Sequence, residues 1–202
     1  MNKRKILKLF LISNVLILSG CGSLNWESKY TKNHNDACKM LKENPDWLKS
    51  MVQSRSKWGT PISIQLSFIR QESSFKHDAR PIRNNEWFEF GVNYQSSALG
   101  YSQALDGTWD HYTKDTKNTF RNRSSFKDSV DFIGWYNHQS YKNIGLSKTD
   151  SYSLYLAYHD GWTGYKNKSY KNKKFLKNAA SNVKMWSTKY SKQLNKCRLK
   201  VY

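Results

Sequence analysis

Glu72 is the side chain best placed for proton chemistry, because it closes a stretch over residues 60–75, T-P-I-S-I-Q-L-S-F-I-R-Q-E-S-S-F, that reads as one buried helix. Ile62, Leu66 and Ile69 recur at helical spacing, and Ile64 and Phe68 widen the apolar face until little of it can meet water. Glu72 extends that series one turn beyond Phe68, near the end where backbone carbonyls point outward and the helix dipole is negative. Desolvation and the dipole both disfavour the ionised carboxylate, so both raise its pKa toward the range of a general acid near neutral pH. The plain alternative is a hydrogen-bonded, inert glutamate at a frayed helix end. The five histidines form no His-Glu-x-x-His or comparable metal pattern, and His77 and His159 each stand beside an Asp that can hydrogen-bond them locally. Ser73 and Ser74 lack the G-x-S-x-G context of a hydrolytic triad. The expectation is an acid–base site with no metal and no cofactor.

The elements that would position Glu72 are helical. Thr60 is placed to cap the central helix and Pro61 to occupy its first position, where a missing N–H costs nothing. Before it, Trp47, Leu48, Met51 and Val52 predict a helix over Pro45–Trp58, with Gly59-Thr60-Pro61 as punctuation. Asp106 is placed to cap a helix carrying Trp109 and Tyr112, and Ser124 one carrying Phe126, Val130, Ile133 and Trp135. Asp150 is placed to cap a third over residues 152–159, which Gly161 ends. Leu176, Ala179, Val183, Trp186, Tyr190 and Leu194 mark the clearest helix of the chain. Between Phe75 and Ala98 the sequence loses its period and becomes aromatic, with Trp87, Phe88, Phe90 and Tyr94, and reads as a long irregular segment. No strand alternation of useful length and no repeat occurs, so the expected fold is mostly α-helical.

Three short motifs follow in order: Gln71-Glu72-Ser73-Ser74-Phe75, Ala98-Leu99-Gly100-Tyr101-Ser102-Gln103-Ala104 and Ala157-Tyr158-His159-Asp160-Gly161. Together they resemble the SLT-type lytic murein transglycosylases, whose signatures are a catalytic E-S, a later G-L-M-Q and an A-Y-N-A-G on a lysozyme-like fold related to goose-type lysozyme. The resemblance runs from about Pro45 to Cys197. It implies that Glu72 is the acid/base, Ser73 a serine bonding near it, Gln103 a substrate-positioning glutamine and Tyr158 the tyrosine that orients the glutamate. Tyr101 and Ser102 stand where the family has Leu-Met, and His159 with Asp160 where it has Asn-Ala. These residues are therefore placed on the substrate side, with subsite preference altered by the lost Met.

The resemblance also implies the reaction, non-hydrolytic cleavage of the MurNAc-β-1,4-GlcNAc bond of peptidoglycan to leave 1,6-anhydroMurNAc ends, a carbon–oxygen lyase chemistry. One carboxylate suffices there, whereas most glycoside hydrolases need two. A second carboxylate aimed at a water, from Asp78, Glu86, Glu89 or Asp160, would instead make a lysozyme-type hydrolase. A peptidoglycan-binding lipoprotein that has lost turnover is the other alternative.

Residues 1–20 have a basic start, an apolar run over residues 6–18 and small residues at Ser19 and Gly20, the anatomy of a signal peptide. The run is shorter than the roughly 20 apolar residues of a membrane span. Leu18-Ser19-Gly20-Cys21 resembles a bacterial lipobox, which implies lipidation of Cys21 and, with no Asp after the Cys, an outer-membrane lipoprotein facing a Gram-negative periplasm. The alternative is a leader cut elsewhere, with Cys21 discarded. Lipidation leaves Cys38 and Cys197, which an exported protein joins as a disulfide; two reduced thiols are the alternative. Residues 21–37 read as a lipidated flexible tether and 38–202 as the catalytic domain. The formal charge is +19, and Lys3, Arg4, Lys5 and Lys8 account for four of these, leaving +15 beyond residue 20. That surplus suits anionic polymers and membrane surfaces, and an exported chain disfavours nucleic acid as partner even at the basic loop over residues 166–174. The expected partners are glycan strands and, through the lipid, a membrane.

Overall fold

A computed structural model describes residues 33–88, 91–197 and 199, with residues 82–88 and 91–94 described by their backbone. The leader, Cys21 and the tether up to residue 32 lie outside the described residues. Among the described residues seven α-helices follow in order: α1 (Ala37–Glu43), α2 (Pro45–Trp58), α3 (Ile62–Ser73), α4 (Asp106–Asp115), α5 (Phe126–Ile144), α6 (Ser151–Lys166) and α7 (Lys174–Lys196). Between α3 and α4 two short strands, β1 (Ile82–Phe88) and β2 (Gly91–Tyr94), pair antiparallel with an irregular register between Ile82 and Trp87. The segment expected to be irregular is thus a hairpin. Its Arg80-Pro81 and Asn84-Asn85 break the alternation that would have marked strands in sequence.

Helix α3 is the axis of the fold. Leu66, Phe68 and Ile69 are fully buried, each stabilising the fold by about 1.5–3 kcal/mol relative to exposure. It packs against α7, while α2 packs against α5 and α6 against α7. Pro61 is the N-cap of α3 rather than its first residue, and the buried Thr60 hydroxyl caps nothing; the Thr60 carbonyl accepts from Gln65 Nε2 at 2.8 Å. Two more caps lie one residue from their sequence assignment. Ser125, not Ser124, accepts from the Asp128 N–H, and Asp106 is the first residue of α4, its carboxylate 2.7 Å from Arg123. In each case neighbouring polar residues compete for the same role and tertiary partners choose between them. Asp150 does cap α6, accepting from Ser153 N at 3.1 Å.

The ends of the domain are joined. Cys38 and Cys197 form a disulfide with Cα atoms 6.0 Å apart, closing a separation of 159 residues. Beside it, Ala37 N donates to Gln193 Oε1 and Gln193 Nε2 to the Asn35 carbonyl, at 2.9 and 2.8 Å. Arg70 and Tyr190 both donate to the His34 carbonyl. Residues 33–37, expected in the tether, are therefore packed on α3 and α7. A second brace centres on Asp131, which accepts from Trp58 Nε1 and the Tyr112 hydroxyl, each at 2.7 Å, and pairs with Arg121 at 2.7 Å. It ties α2, α4 and α5 together.

Candidate active site

Glu72 lies on the last turn of α3, half-buried, one turn after Phe68. The Phe68 ring meets Tyr155 and Tyr158 edge-on at 5.3 and 5.2 Å, so this face of α3 delivers Glu72 to the tyrosines of α6. Burial pushes the Glu72 carboxyl up to about 7, against an opposing hydrogen bond from the Tyr155 side chain. Burial and the nearby Glu72 charge push both tyrosine hydroxyls far above their ordinary value, so they stay protonated donors. Just past Glu72 the chain turns through two left-handed residues in succession, Ser74 (φ 50°) and Phe75 (φ 64°). Neither is glycine, and such strain persists only where packing over-determines it. Phe75 is 1 % exposed and stacks on Trp47 at 5.8 Å, which holds the turn and fixes the end of α3.

The second motif forms the opposite wall. Gly100 (φ 75°) brings the loop so close to the segment before α5 that a Cβ there would stand 2.1 Å from the Arg123 carbonyl oxygen. Arg123 itself donates to the carbonyls of Ser97 and Ala104. Gln103 adopts φ 49°, and its Nε2 donates to the carbonyls of Ala79 at 2.7 Å and Gly100 at 2.8 Å. Two carbonyl acceptors fix the orientation of that amide, and among the described residues Oε1 has no hydrogen-bond donor. The Tyr158 hydroxyl donates to the Ser102 carbonyl at 2.6 Å, joining this loop to α6.

Gln103, Leu105, Tyr136, Tyr158, His159 and Asp160 line a cleft of about 300 Å³. Glu72 is not on its lining; Tyr158 connects the two, its ring on the cleft and its hydroxyl within the field of the Glu72 charge. Helix α6 breaks at Gly161 (φ 73°, ψ 165°), a conformation essentially restricted to glycine, which separates the cleft-lining turn from its continuation. Asp160 is a cleft carboxylate already occupied: Lys173 Nζ and Ser169 Oγ donate to it and hold its pKa low, although burial alone would raise it. Asp78 is largely exposed and faces His77. Glu86 and Glu89 lie outside the described side chains. Among the described residues no group of three or more His, Cys, Asp or Glu side chains could hold a metal ion.

Gln103, Tyr158 and His159 thus meet at the cleft, Glu72 stands off its lining, and three further expected substrate contacts, Ser73, Ser102 and Tyr101, are not on it either. Ser73 is buried with its hydroxyl on the Ile69 carbonyl at 3.1 Å, the usual back-bond of a helical serine. Ser102 is fully buried and meets α6 through its carbonyl. Tyr101 is turned into the core, 5.2 Å from Phe126 and 5.9 Å from Trp47. The Tyr158 hydroxyl is committed to the Ser102 carbonyl, and the tyrosine whose hydrogen bonding opposes the raised Glu72 pKa is Tyr155. Both tyrosines lie on one face of α6, three residues apart, so the spacing Tyr155-x-x-Tyr158 was the available signal. Tyr136 was also missed; its hydroxyl donates to the Ala157 carbonyl at 3.0 Å while its ring lines the cleft.

A family model described as Transglycosylase SLT domain matches residues 9–197, nearly the whole chain, and the protein belongs to that family. Its mostly α-helical, lysozyme-like architecture agrees with the assignment. The family's activity is lytic, lyase-type transglycosylation of peptidoglycan, and glycan strands are its substrate. A search of curated proteins returns no match.

Proposed function

We propose that the protein cleaves the MurNAc-β-1,4-GlcNAc bond without water, leaving 1,6-anhydroMurNAc ends, with Glu72 as general acid and then base. The observation that carries this reading is a glutamate whose carboxyl, pushed up to about 7, keeps its proton in part at neutrality, near a cleft whose carboxylate Asp160 is occupied by Lys173 and Ser169. Most glycoside hydrolases use a second carboxylate to activate water, and among the described side chains the carboxylate on the cleft lining, Asp160, is engaged by Lys173 and Ser169. In the proposed sequence Glu72 gives its proton to the bridging oxygen as the C1–O bond breaks, and the carbonyl oxygen of the MurNAc N-acetyl group bonds to C1. The Glu72 carboxylate then takes the C6 hydroxyl proton while O6 displaces the acetamido oxygen, which restores the protonated acid. Tyr155 orients Glu72 and balances its transient charge. Gln103 Oε1 offers an acceptor to a sugar hydroxyl, and the Tyr158 bond to Ser102 keeps the two walls in register.

The lipobox-like Leu18-Ser19-Gly20-Cys21 supports an outer-membrane lipoprotein facing the periplasm. Among the described residues no helix is long and apolar enough to cross a membrane. The decisive measurement is mass spectrometry of products from purified sacculi, since anhydro and reducing ends differ by one water. Wild type is expected to release anhydro-muropeptides, and Glu72→Gln to lower their release by about 10³-fold or more. Reducing ends would overturn the transglycosylase assignment, and full activity of the variant would overturn the role of Glu72.

A further inference from the structure

From Gly161 to the C-terminus the sequence carries twelve Lys and Arg residues and no Asp or Glu. The densest part, K-N-K-S-Y-K-N-K-K over residues 166–174, is not a loose solvated loop. It is folded back onto α6 and fastened to the wall of the cleft. Its 3₁₀ turn, Ser169–Asn172, is tied at Ser169, whose hydroxyl donates both to Asp160 and to the Gly164 carbonyl. The approach is close enough that a Cβ at Gly164 would lie 3.1 Å from Ser169 Oγ and 3.2 Å from Asp160 Cγ. Tyr170 stacks on Tyr165 at 5.3 Å, and Lys173 reaches Asp160, whose side chain is only 4 % exposed. The next residue but one, Phe175, is 62 % exposed and meets His159 at 5.6 Å. Asp160 and His159 both line the cleft.

Lys173 is thus engaged in holding the turn, while Lys166, Lys168, Lys171 and Lys174 are exposed around it. Four cations on a braced turn beside the cleft wall form a preorganised anionic subsite, because little ordering remains to be done when a charged group arrives. The glycan backbone of peptidoglycan is largely uncharged in its sugars; its carboxylates are on the peptide stems that branch from it. We infer that the loop over residues 166–174 binds the carboxylates of those stems, so that the cleft takes peptide-bearing strands in preference to bare glycan. The inference rests on the cleft as the strand-binding site and is independent of the role of Glu72.

The test is co-sedimentation of the full chain with sacculi carrying their stems and with the same strands stripped of stems by an amidase and their freed lactyl carboxylates capped as methylamides, at low and raised salt, alongside product analysis. The wild-type chain is expected to bind stem-bearing strands about tenfold more tightly, a preference that shrinks as salt screens the exposed charges. The triple variant Lys168→Gln/Lys171→Gln/Lys174→Gln should bring the ratio of affinities close to one, and the corresponding Lys→Arg triple should restore it. Lys173 is left in place because it holds Asp160. Equal wild-type affinity for both strands overturns the inference. So does an equal loss on both in the Gln triple, or binding of the loop to anionic phospholipid vesicles with no stem preference. Binding is read without turnover, so a chain that prefers stems but releases no anhydro product would fail the proposed reaction and keep this inference.

Discussion

At the scale of single residues, the protonation of Glu72 has consequences for both stability and rate. Its carboxyl rises from 4.5 in the unfolded chain to about 7 in the folded one. Below about 4.5 both states are protonated and nothing is lost. Between about 4.5 and 7 the unfolded chain releases the proton first, so stability falls as pH rises, by about 3 kcal/mol at most once both states are ionised. Glu72→Gln mimics the protonated form at every pH. It is expected to match wild type in thermal unfolding at pH 4 and to exceed it at pH 8 by roughly 5–10 °C; equal curves at pH 8 would show that the carboxylate bears no burial penalty. Tyr155→Phe removes the hydrogen bond that opposes the raised pKa. The alkaline limb of the pH–rate profile should then move up by about one to two units while kcat falls, because a hydrogen bond to a charged group contributes about 1.5–3 kcal/mol.

At the scale of elements, the site depends on two segments that leave regular geometry. Helix α3 ends in the left-handed pair Ser74 and Phe75, and α6 breaks at Gly161. The second break isolates a pure backbone effect, since a Cβ at Gly161 would meet nothing within 4 Å. Gly161→Ala is therefore expected to lose about 1–3 kcal/mol of stability to backbone strain alone. Chemical denaturation checks the value, and a neutral substitution would show that α6 can straighten through this residue.

At the scale of the whole molecule, a covalent link joins the two ends of the described residues. The Cys38–Cys197 bridge spans 159 residues, and a loop that long corresponds to about 4–5 kcal/mol in the chain-entropy model. It also secures residues 33–37 and α1 against the last turns of α7, where Gln193 and Tyr190 bond the entering chain. Cys38→Ser/Cys197→Ser is expected to lower stability by that amount in denaturant unfolding. Protease should then enter first near residues 33–43, and unchanged protection there would show that the hydrogen bonds hold the end without the bridge.

The sequence by itself determined α2 to α7, the identity of Glu72 as the acid candidate and the family, and missed the short α1. Periodicity, punctuation by Gly59-Thr60-Pro61 and Gly161, and three ordered motifs are local properties that survive without coordinates. Tertiary structure decided which neighbour performs each role. The Tyr158 hydroxyl goes to the Ser102 carbonyl, which leaves Tyr155 as the tyrosine whose hydrogen bonding lowers the Glu72 pKa. Tyr101 went to the core because Trp47 and Phe126 offer an apolar slot that spacing cannot reveal. Asp160, adjacent in sequence to a motif tyrosine and free to be imagined as a base, is taken up by Lys173 and Ser169 from a loop that begins several residues later. Side-chain partnership across elements depends on helix rotation and close packing, and neither is written in the order of residues along one chain.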